Sequence, residues 1–195
     1  MKKIILIVLL IFSSNALGEK NIINIAIMND KIITNIDLAN EIKFLKLFEE
    51  NIKDPEKIKQ TAINNLINDI LKDQEISSNN LKSNDDLIKK NYNNIISKFS
   101  NQKITLTKIL ENKIYDKIKI EINWNNLITK KYYWSININL SEIEEKIKNE
   151  KKTRSPKEIL DYKEKLVSIE KDKKLSIYSQ NHLNKIKKES LIRFF

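Results

Sequence analysis

The first ordered pattern of apolar and polar positions lies between residues 24 and 48. A short apolar segment, a polar turn and a second apolar pair are followed by apolar residues at helical spacing. Thr34 and Asp37 are placed to exchange hydrogen bonds as a capping box, with Ile33 and Leu38 as the hydrophobic staple. This order predicts a strand, a turn and a helix. The helix is apolar on two sides, so we expect it to have two neighbours, or one neighbour and a ligand.

Two further amphipathic helices are predicted by their caps and apolar spacing. Asp54 and Pro55 suit the N-cap and first helical position of the earlier one. That helix should end in the polar stretch 77–80. Ser83 and Asp86 offer a capping pair for the later helix, whose apolar residues recur at i, i+3 and i+4.

The segment 105–130 carries two competing periods. Apolar residues recur at every fourth position, as in a helix, yet those between 118 and 124 also alternate, as in a strand. We predict one helix because no turn residue interrupts the segment. An extended stretch with alternating apolar residues should follow at 136–140, and Ser141 with Glu144 then predicts the cap of a short helix.

The last part of the chain begins with a strong helix start. Ser155, Pro156 and Glu158 occupy the N-cap, N1 and N3 positions of the predicted helix. Its apolar pattern thins in the charged run 170–174 before it resumes. The final residues 191–195 have the composition of a strand.

The two terminal strands are expected to pair with each other. Residues 23–28 and 191–195 are both short and apolar, and neither is expected to stay unpaired in water. Pairing would close the domain around the first two helices and bury Phe194 or Phe195.

A chain of 195 residues suits one domain of ordinary size rather than two cores. Lys2 and Lys3 precede an uncharged apolar run, and the small residues Ala16 and Gly18 follow it, which is the layout of a secretory signal peptide. A retained membrane anchor is the alternative. The predicted division is a signal peptide at 1–18, a helical domain at 19–149, a linker at 150–155, and a helix and strand at 156–195 that complete the same domain.

Composition excludes several classes of site. The sequence has no cysteine, so disulfides and thiolate metal sites are excluded. Its single glycine is Gly18, and loops that cradle phosphates need glycine where the backbone approaches the anion. We therefore predict no nucleotide site, no cofactor and no metal.

The formal net charge of +10 raises the possibility of a nucleic-acid or anionic-lipid partner. The lysines, however, are spread along almost every predicted helix and are interleaved with acidic residues. This distribution favours solvated helix faces, and we expect no nucleic-acid partner.

No catalytic set is visible in the sequence. His182 is the only histidine, and no nucleophile or orienting carboxylate can be assigned to it, so we expect a surface or packing role. Paired carboxylates lie at helix ends, where they complement the helix dipole. We predict that the protein is not an enzyme.

Aromatic residues are the remaining candidates for a binding surface. Three of them are consecutive, and consecutive residues cannot all face one core. We expect most of the aromatic residues to belong to the core, and the alternative is a partly exposed surface that binds extended, apolar polypeptide. The candidate residues are Phe44, Phe48, Tyr92, Phe99, Trp124, Tyr132, Tyr133 and Trp134.

The run IAIMNDKIITNIDLANEIKFLK and the later segment NLINDILKDQEI resemble the opening of the SurA-type periplasmic chaperones. Residues 178–195 are similar to the closing helix and strand of that family. The glycine-rich parvulin isomerase modules that family members usually carry have no counterpart here. The resemblance implies a mainly α chaperone body, related to that of trigger factor, with a small β pairing of the terminal strands and no isomerase activity.

The function implied is ATP-independent holding of unfolded outer-membrane proteins in the periplasm, without stable membrane insertion once the signal peptide is removed. The partners would then be unfolded or partly folded outer-membrane proteins. A periplasmic adaptor that uses the same aromatic residues to hold one fixed partner is the alternative, beside the basic nucleic-acid or lipid binder.

Overall fold

The computed structural model describes residues 22–48, 54–150 and 155–195. The predicted signal peptide and most of the predicted linker, 151–154, lie outside these ranges. The described residues are mainly helical, with one small antiparallel sheet, which confirms the predicted mainly α class. The helices are α1 (Asn35–Phe48), α2 (Pro55–Ser78), α3 (Asp85–Asn101), α4 (Lys108–Tyr132), α5 (Leu140–Glu150) and α6 (Pro156–Glu189), with a 3-10 turn at Tyr133–Ser135. The strands are β1 (Asn24–Met28), β2 (Lys31–Thr34) and β3 (Ile192–Phe194).

The sheet joins the two ends of the described chain. Its strand order is β2-β1-β3, and β1 pairs antiparallel with both neighbours. Ile27 lies opposite Arg193 in the ladder between β1 and β3, so the predicted pairing of the terminal strands is confirmed. The predicted burial of Phe194 or Phe195 is wrong, because both side chains are more than half exposed. Ile192, beside Met28, is the β3 residue that packs against the core.

Three predicted helix starts are confirmed by their hydrogen bonds. The amide of Thr34 donates to Oδ2 of Asp37 at 2.9 Å, and the amide of Asp37 donates to Oγ1 of Thr34 at 3.2 Å. Asp54 caps α2 by accepting from two backbone amides, with Pro55 at the first helical position. Ser155 and Glu158 form the capping box of α6.

Two other caps were assigned to the wrong residue. Asn84, not Ser83, caps α3, since its Oδ1 accepts from the amide of Leu87 at 3.1 Å. Asn139, not Ser141, accepts from the amide of Glu142 at 3.4 Å at the start of α5. Asparagine and serine cap helices about equally well, so adjacent candidates cannot be separated by residue type alone.

Both long helices are continuous. α4 extends from Lys108 to Tyr132, so the helical interpretation of 105–130 is confirmed in its main part, with Thr107 as the N-cap. α6 has 34 residues and passes through the charged run 170–174 without a break. Surface charges do not interrupt a helix that is anchored on both sides of them.

The main core lies between the inner face of the sheet, α1, α2, α4 and the second half of α6. Its most buried members include Met28, Leu45, Ile67, Trp124 and Ile128. α3 packs against α4, and α5 packs against α6. The first half of α6 therefore extends beyond the main core with α5 as its neighbour.

Candidate functional site

The eight aromatic candidates do not form one surface. Trp124 and Phe99 are buried, and they present no surface for a ligand in this conformation. Three others are partly buried, namely Phe44, Tyr92 and Tyr132. The exposed members are Phe48, Tyr133 and Trp134.

One group of these rings fills the space between α1 and α3. The ring of Phe48 lies 4.8 Å from that of Phe44 and 5.4 Å from that of Phe99, between centroids. On the other side of α3, Tyr92 meets the ring of Tyr115 on α4 at 5.6 Å. These distances are typical of aromatic packing between helices, so this group holds α3 in place.

A second group joins α2, α4 and α6 around the one histidine. His182 is buried, and its Nε2 lies 2.9 Å from Oε1 of Glu75 while its Nδ1 lies 3.0 Å from the hydroxyl of Tyr132. Lys131 donates to the same Oε1 of Glu75 at 3.2 Å. The sequence-based expectation that His182 has no oriented carboxylate is wrong, because Glu75 lies 107 positions away in the chain and folding brings it to the ring.

Glu75 fixes the direction of the hydrogen bonds in this group. Burial acts to raise the pKa of Glu75, but the hydrogen bonds from His182 and Lys131 and their charges outweigh it and hold the pKa below its ordinary value. An ionised carboxylate only accepts hydrogen bonds, so Nε2 of His182 carries the proton. In the neutral ring, Nδ1 then accepts from Tyr132.

Stacked rings extend this arrangement toward the surface. Trp124 stacks on His182 and donates through Nε1 to Oγ of Ser179 at 2.7 Å. Tyr132 stacks on Tyr178 with centroids 4.8 Å apart and an interplanar angle of 9°. We call these linked side chains the His182 cluster: Glu75, Trp124, Tyr132, Tyr178, Ser179 and His182.

The His182 cluster determines where the next two side chains point. Tyr132 turns inward to His182, and successive helical residues are separated by about 100° around the axis, so Tyr133 and Trp134 turn away from the core. Trp134 is 92% exposed and Tyr133 is 49% exposed. Their rings meet edge to face at 5.1 Å between centroids. We call Tyr133 and Trp134 the exposed aromatic pair.

The backbone after the exposed aromatic pair is tied to α6. The hydroxyl of Tyr178 donates to the carbonyl of Ser135 at 2.9 Å, and Lys174 donates to the carbonyl of Asn137. Nζ of Lys171 lies 5.0 Å from the centroid of the Tyr133 ring. The pair therefore projects from a 3-10 turn that is held before it by the bond between Tyr132 and His182, and after it by Tyr178 and Lys174 of α6.

A polar cleft of about 380 Å³ lies between α4 and α6 near this turn. It is lined by Thr129, one helical turn before Tyr133, and by Asp172, next to Lys171. Asn125 and Ser176 add further hydrogen-bonding groups. Such side chains can bind the N–H and C=O groups of an extended chain.

A separate ionic cluster lies between α1, α2 and α4. Glu41 has no exposed surface, and its Oε1 accepts from Nζ of Lys117 at 2.8 Å. Its Oε2 lies 2.6 Å from Nζ of Lys113 but receives no well-aligned hydrogen bond. Lys117 also meets Oδ2 of Asp69 at 2.5 Å. We call Glu41, Asp69, Lys113 and Lys117 the ionic cluster.

The environment of the ionic cluster changes the pKa of two members. Burial raises the pKa of Asp69, although the charge of Lys117 and its hydrogen bond oppose the shift. Burial acts to lower the pKa of Lys117, but the charges of Asp69 and Glu41 outweigh it and raise the pKa above its ordinary value. The sequence-based interpretation missed this cluster, although a glutamate at position 41 beside the apolar face of α1 was the available signal.

The ionic cluster borders a cleft of about 270 Å³, which Asp69, Lys113 and Lys117 line together with Asp37 and Asp116. His182 and Glu75 face Tyr132, whose ring is stacked, and not an open substrate cleft. Across residues 22–48, 54–150 and 155–195, no three His, Cys, Asp or Glu side chains lie close enough to hold a metal ion. None of the helices described has the length and apolar character needed to cross a membrane.

Compared with known family models and with curated proteins, the chain shows no match. The resemblance to the SurA-type chaperones therefore stays a prediction based on the residues named above.

Proposed function

We propose that the protein is an ATP-independent periplasmic chaperone that holds unfolded outer-membrane proteins through the exposed aromatic pair, without isomerase activity. The observation that carries this proposal is the exposure of Trp134, 92%, on a backbone fixed by hydrogen bonds to α6. Tyr and Trp are enriched at protein interfaces, and here two such rings lie next to each other on one ordered turn.

The energy available from this surface suits weak and general binding. Burying a fully exposed large apolar side chain contributes about 2 to 3 kcal/mol, and Tyr133 is already half buried, so the pair supplies on the order of 4 kcal/mol before the costs of association. Binding of that strength is reversible and depends on apolar content rather than on one sequence. The polar cleft beside the pair offers hydrogen bonds to the backbone of the same bound segment.

Two features of the sequence support the other parts of the proposal. The single glycine, Gly18, leaves no phosphate-binding loop for ATP. The order of charged, apolar and small residues within 1–18 supports export to the periplasm. The resemblance of the chain ends to SurA-type chaperones supports outer-membrane proteins as the clients.

The proposal is tested by diluting an unfolded outer-membrane protein from urea into buffer and measuring its aggregation by light scattering. The wild-type protein should suppress aggregation without ATP. The double variant Tyr133→Ser with Trp134→Ser should lose most of this activity. Ile109→Ser is the control, because Ile109 is 59% exposed at the N-terminal end of α4, far from the turn that follows the helix.

Equal activity of the double variant and the wild-type protein would exclude the exposed aromatic pair as the binding surface. A pull-down then separates the chaperone from the adaptor. Many unfolded clients support the chaperone, whereas one folded partner in stoichiometric amount contradicts it.

A further inference from the structure

A second apolar surface lies at the sheet, away from the exposed aromatic pair. From Lys171, beside the pair, to Glu189 at the end of α6, the helix rises about 27 Å at 1.5 Å per residue. The strands and their flanks then expose six large apolar side chains, each between 52% and 74%. We call these residues the sheet patch: Ile22, Ile23, Ile32, Leu191, Phe194 and Phe195.

The strand register places apolar side chains of the patch on both faces of β3, whereas Ile32 lies on β2 at the opposite edge of the sheet. Residues directly opposite in a ladder share a face, so Phe194 is on the face of buried Ala26, and Arg193 is on the face of Ile27 and Ile32. Alternation along the strand places Phe195 on the same face as Arg193. Apolar side chains are therefore available on both sides of the same strand.

The backbone of β3 also has a free edge. The amide of Phe195 donates to the carbonyl of Ile25 at 3.1 Å, and the carbonyl of Leu191 accepts from Asn29 at 3.2 Å. In an antiparallel ladder, alternate residues face the partner strand, so the N–H and C=O groups of Ile192 and Phe194 point outward. The sheet order places no further strand there in the part of the chain that the structure describes.

The size of the sheet patch decides what kind of partner fits. If each fully exposed side chain presents roughly 200 Å², the six residues expose on the order of 700 Å². The largest patch on an ordinary monomer is about 300–600 Å², whereas one partner in a standard protein interface buries about 800 Å². The three patch residues in or beside β3, namely Leu191, Phe194 and Phe195, account for roughly 400 Å² of this area, about half of one side of a standard interface, and the free backbone edge adds hydrogen bonds to it.

The free backbone edge of β3 favours a second copy of the chain over a lipid surface as the occupant. Anionic membranes attract clusters of Lys and Arg, at about 1 kcal/mol for each residue near the surface. Lys31, Lys187, Lys188 and Arg193 lie close to patch residues in the chain, so charge suits a membrane as well, but a lipid surface offers no strand that could pair with the outward N–H and C=O groups of β3. A second copy of the chain brings the same uncharged patch and the same free edge, which a two-fold axis makes self-complementary.

We propose that two copies of the chain associate through the sheet patch, with the β3 edge of one lying beside the β3 edge of the other. The outward N–H and C=O groups of Ile192 and Phe194 would then pair across the axis, and Phe194 and Phe195 would be buried. This association is independent of the exposed aromatic pair.

Sedimentation equilibrium over a dilution series, from micromolar to sub-millimolar protein, tests this proposal. The wild-type protein should show twice the monomer mass and dissociate on dilution. The double variant Phe194→Ser with Phe195→Ser should weaken the dimer by a factor of at least about 100, which is the loss of two well-buried contacts. Tyr133→Ser with Trp134→Ser is the matched control and should remain dimeric.

A second variant keeps the test valid if the serine variant folds poorly. Phe194→Pro removes an outward N–H, which is tolerated at a sheet edge, and should also give a monomer with unchanged circular dichroism. A wild-type monomer at every concentration would overturn the proposal, and so would a dimer that survives both β3 variants. A third outcome would also overturn the proposal, namely a monomeric protein that floats with phosphatidylglycerol vesicles and loses this binding in the variant Phe194→Ser with Phe195→Ser. That result would show that the sheet patch binds a membrane.

Discussion

The ionic cluster and the His182 cluster both place polar side chains between the helices of one small protein, yet they serve different parts of it. The ionic cluster is made of two carboxylates and two lysines that pair with one another between α1, α2 and α4. The His182 cluster has one carboxylate among aromatic rings and a neutral hydroxyl, and it ends at the exposed aromatic pair. The paired charges of the ionic cluster hold three helices together. The hydrogen-bonded and stacked rings of the His182 cluster also hold helices together, and in addition they determine the direction in which the exposed aromatic pair points.

The largest expected effect comes from removing one charge of the ionic cluster. Lys117→Met leaves Asp69 without its cation and Glu41 with Lys113 alone, and breaking a buried pair costs about 3–5 kcal/mol. The free energy of unfolding, measured by urea denaturation, should fall by that amount. Lys119→Met is the control, since Lys119 is exposed on the same helix and should change stability by less than about 0.5 kcal/mol.

The same substitution tests whether the ionic cluster and the exposed aromatic pair are independent of each other. Measured in a Trp124→Phe background, which leaves Trp134 as the only tryptophan, the emission should be unchanged by Lys117→Met as long as the variant is folded, because the ionic cluster does not contact the turn after α4. If Lys117→Met costs no more than its control, the ionic cluster contributes nothing to stability.

A smaller effect is expected from the His182 cluster. Tyr132→Phe keeps the stacking on Tyr178 but removes the hydroxyl that meets Nδ1 of His182 at 3.0 Å. A buried hydrogen-bonding group without its partner costs about 1–3 kcal/mol. The urea midpoint should fall accordingly, while Tyr115→Phe, on the same helix, serves as the control for losing a tyrosine hydroxyl.

The smallest expected effect is the change in the free energy of unfolding in acid. Glu75 of the His182 cluster should lower it, and Asp69 of the ionic cluster should raise it. Glu75 has a lowered pKa in the folded state, so its contribution to stability is complete above its ordinary value of 4.5 and is lost as the pH falls through the folded value. Asp69 has a raised pKa, so the folded protein takes up its proton first and gains stability as the pH falls toward 3.8.

Urea denaturation of Glu75→Gln and Asp69→Asn between pH 7 and pH 3 measures both responses. The difference in the free energy of unfolding between the wild-type protein and Glu75→Gln should become smaller as the pH falls. Relative to Asp69→Asn, the wild-type protein should become more stable as the pH falls. The same direction of change in both comparisons would contradict the assigned pKa shifts.

Local patterns in the sequence predicted the parts of the fold that local contacts determine. The caps at Thr34, Asp54 and Ser155 depend on residues within a few positions of each other, and all three were predicted correctly. Periodicity identified α4 in spite of its competing alternation, and apolar composition indicated the pairing of β1 with β3.

The clusters could not be predicted in the same way, because their members are distant in the sequence. Glu75 and His182 are 107 positions apart, and Glu41 and Lys117 are 76 apart. The burial of Trp124 and the exposure of Trp134 also depend on which helices pack together, since both residues are tryptophan on or beside one helix. For the exposed aromatic pair, the sequence showed only that three consecutive aromatic residues could not all be buried.

The central claim is that Trp134 binds unfolded polypeptide, and it can be tested directly because the sequence contains only two tryptophans. Trp124→Phe leaves Trp134 as the only tryptophan, and Trp134→Phe leaves the buried Trp124 as the matched control. In the first variant, acrylamide should quench the free protein strongly. Addition of an unfolded outer-membrane protein should then shift the emission to shorter wavelength and reduce the quenching, while a folded protein has no effect. Unchanged emission and quenching of Trp134 while the client is demonstrably held in solution would contradict the account.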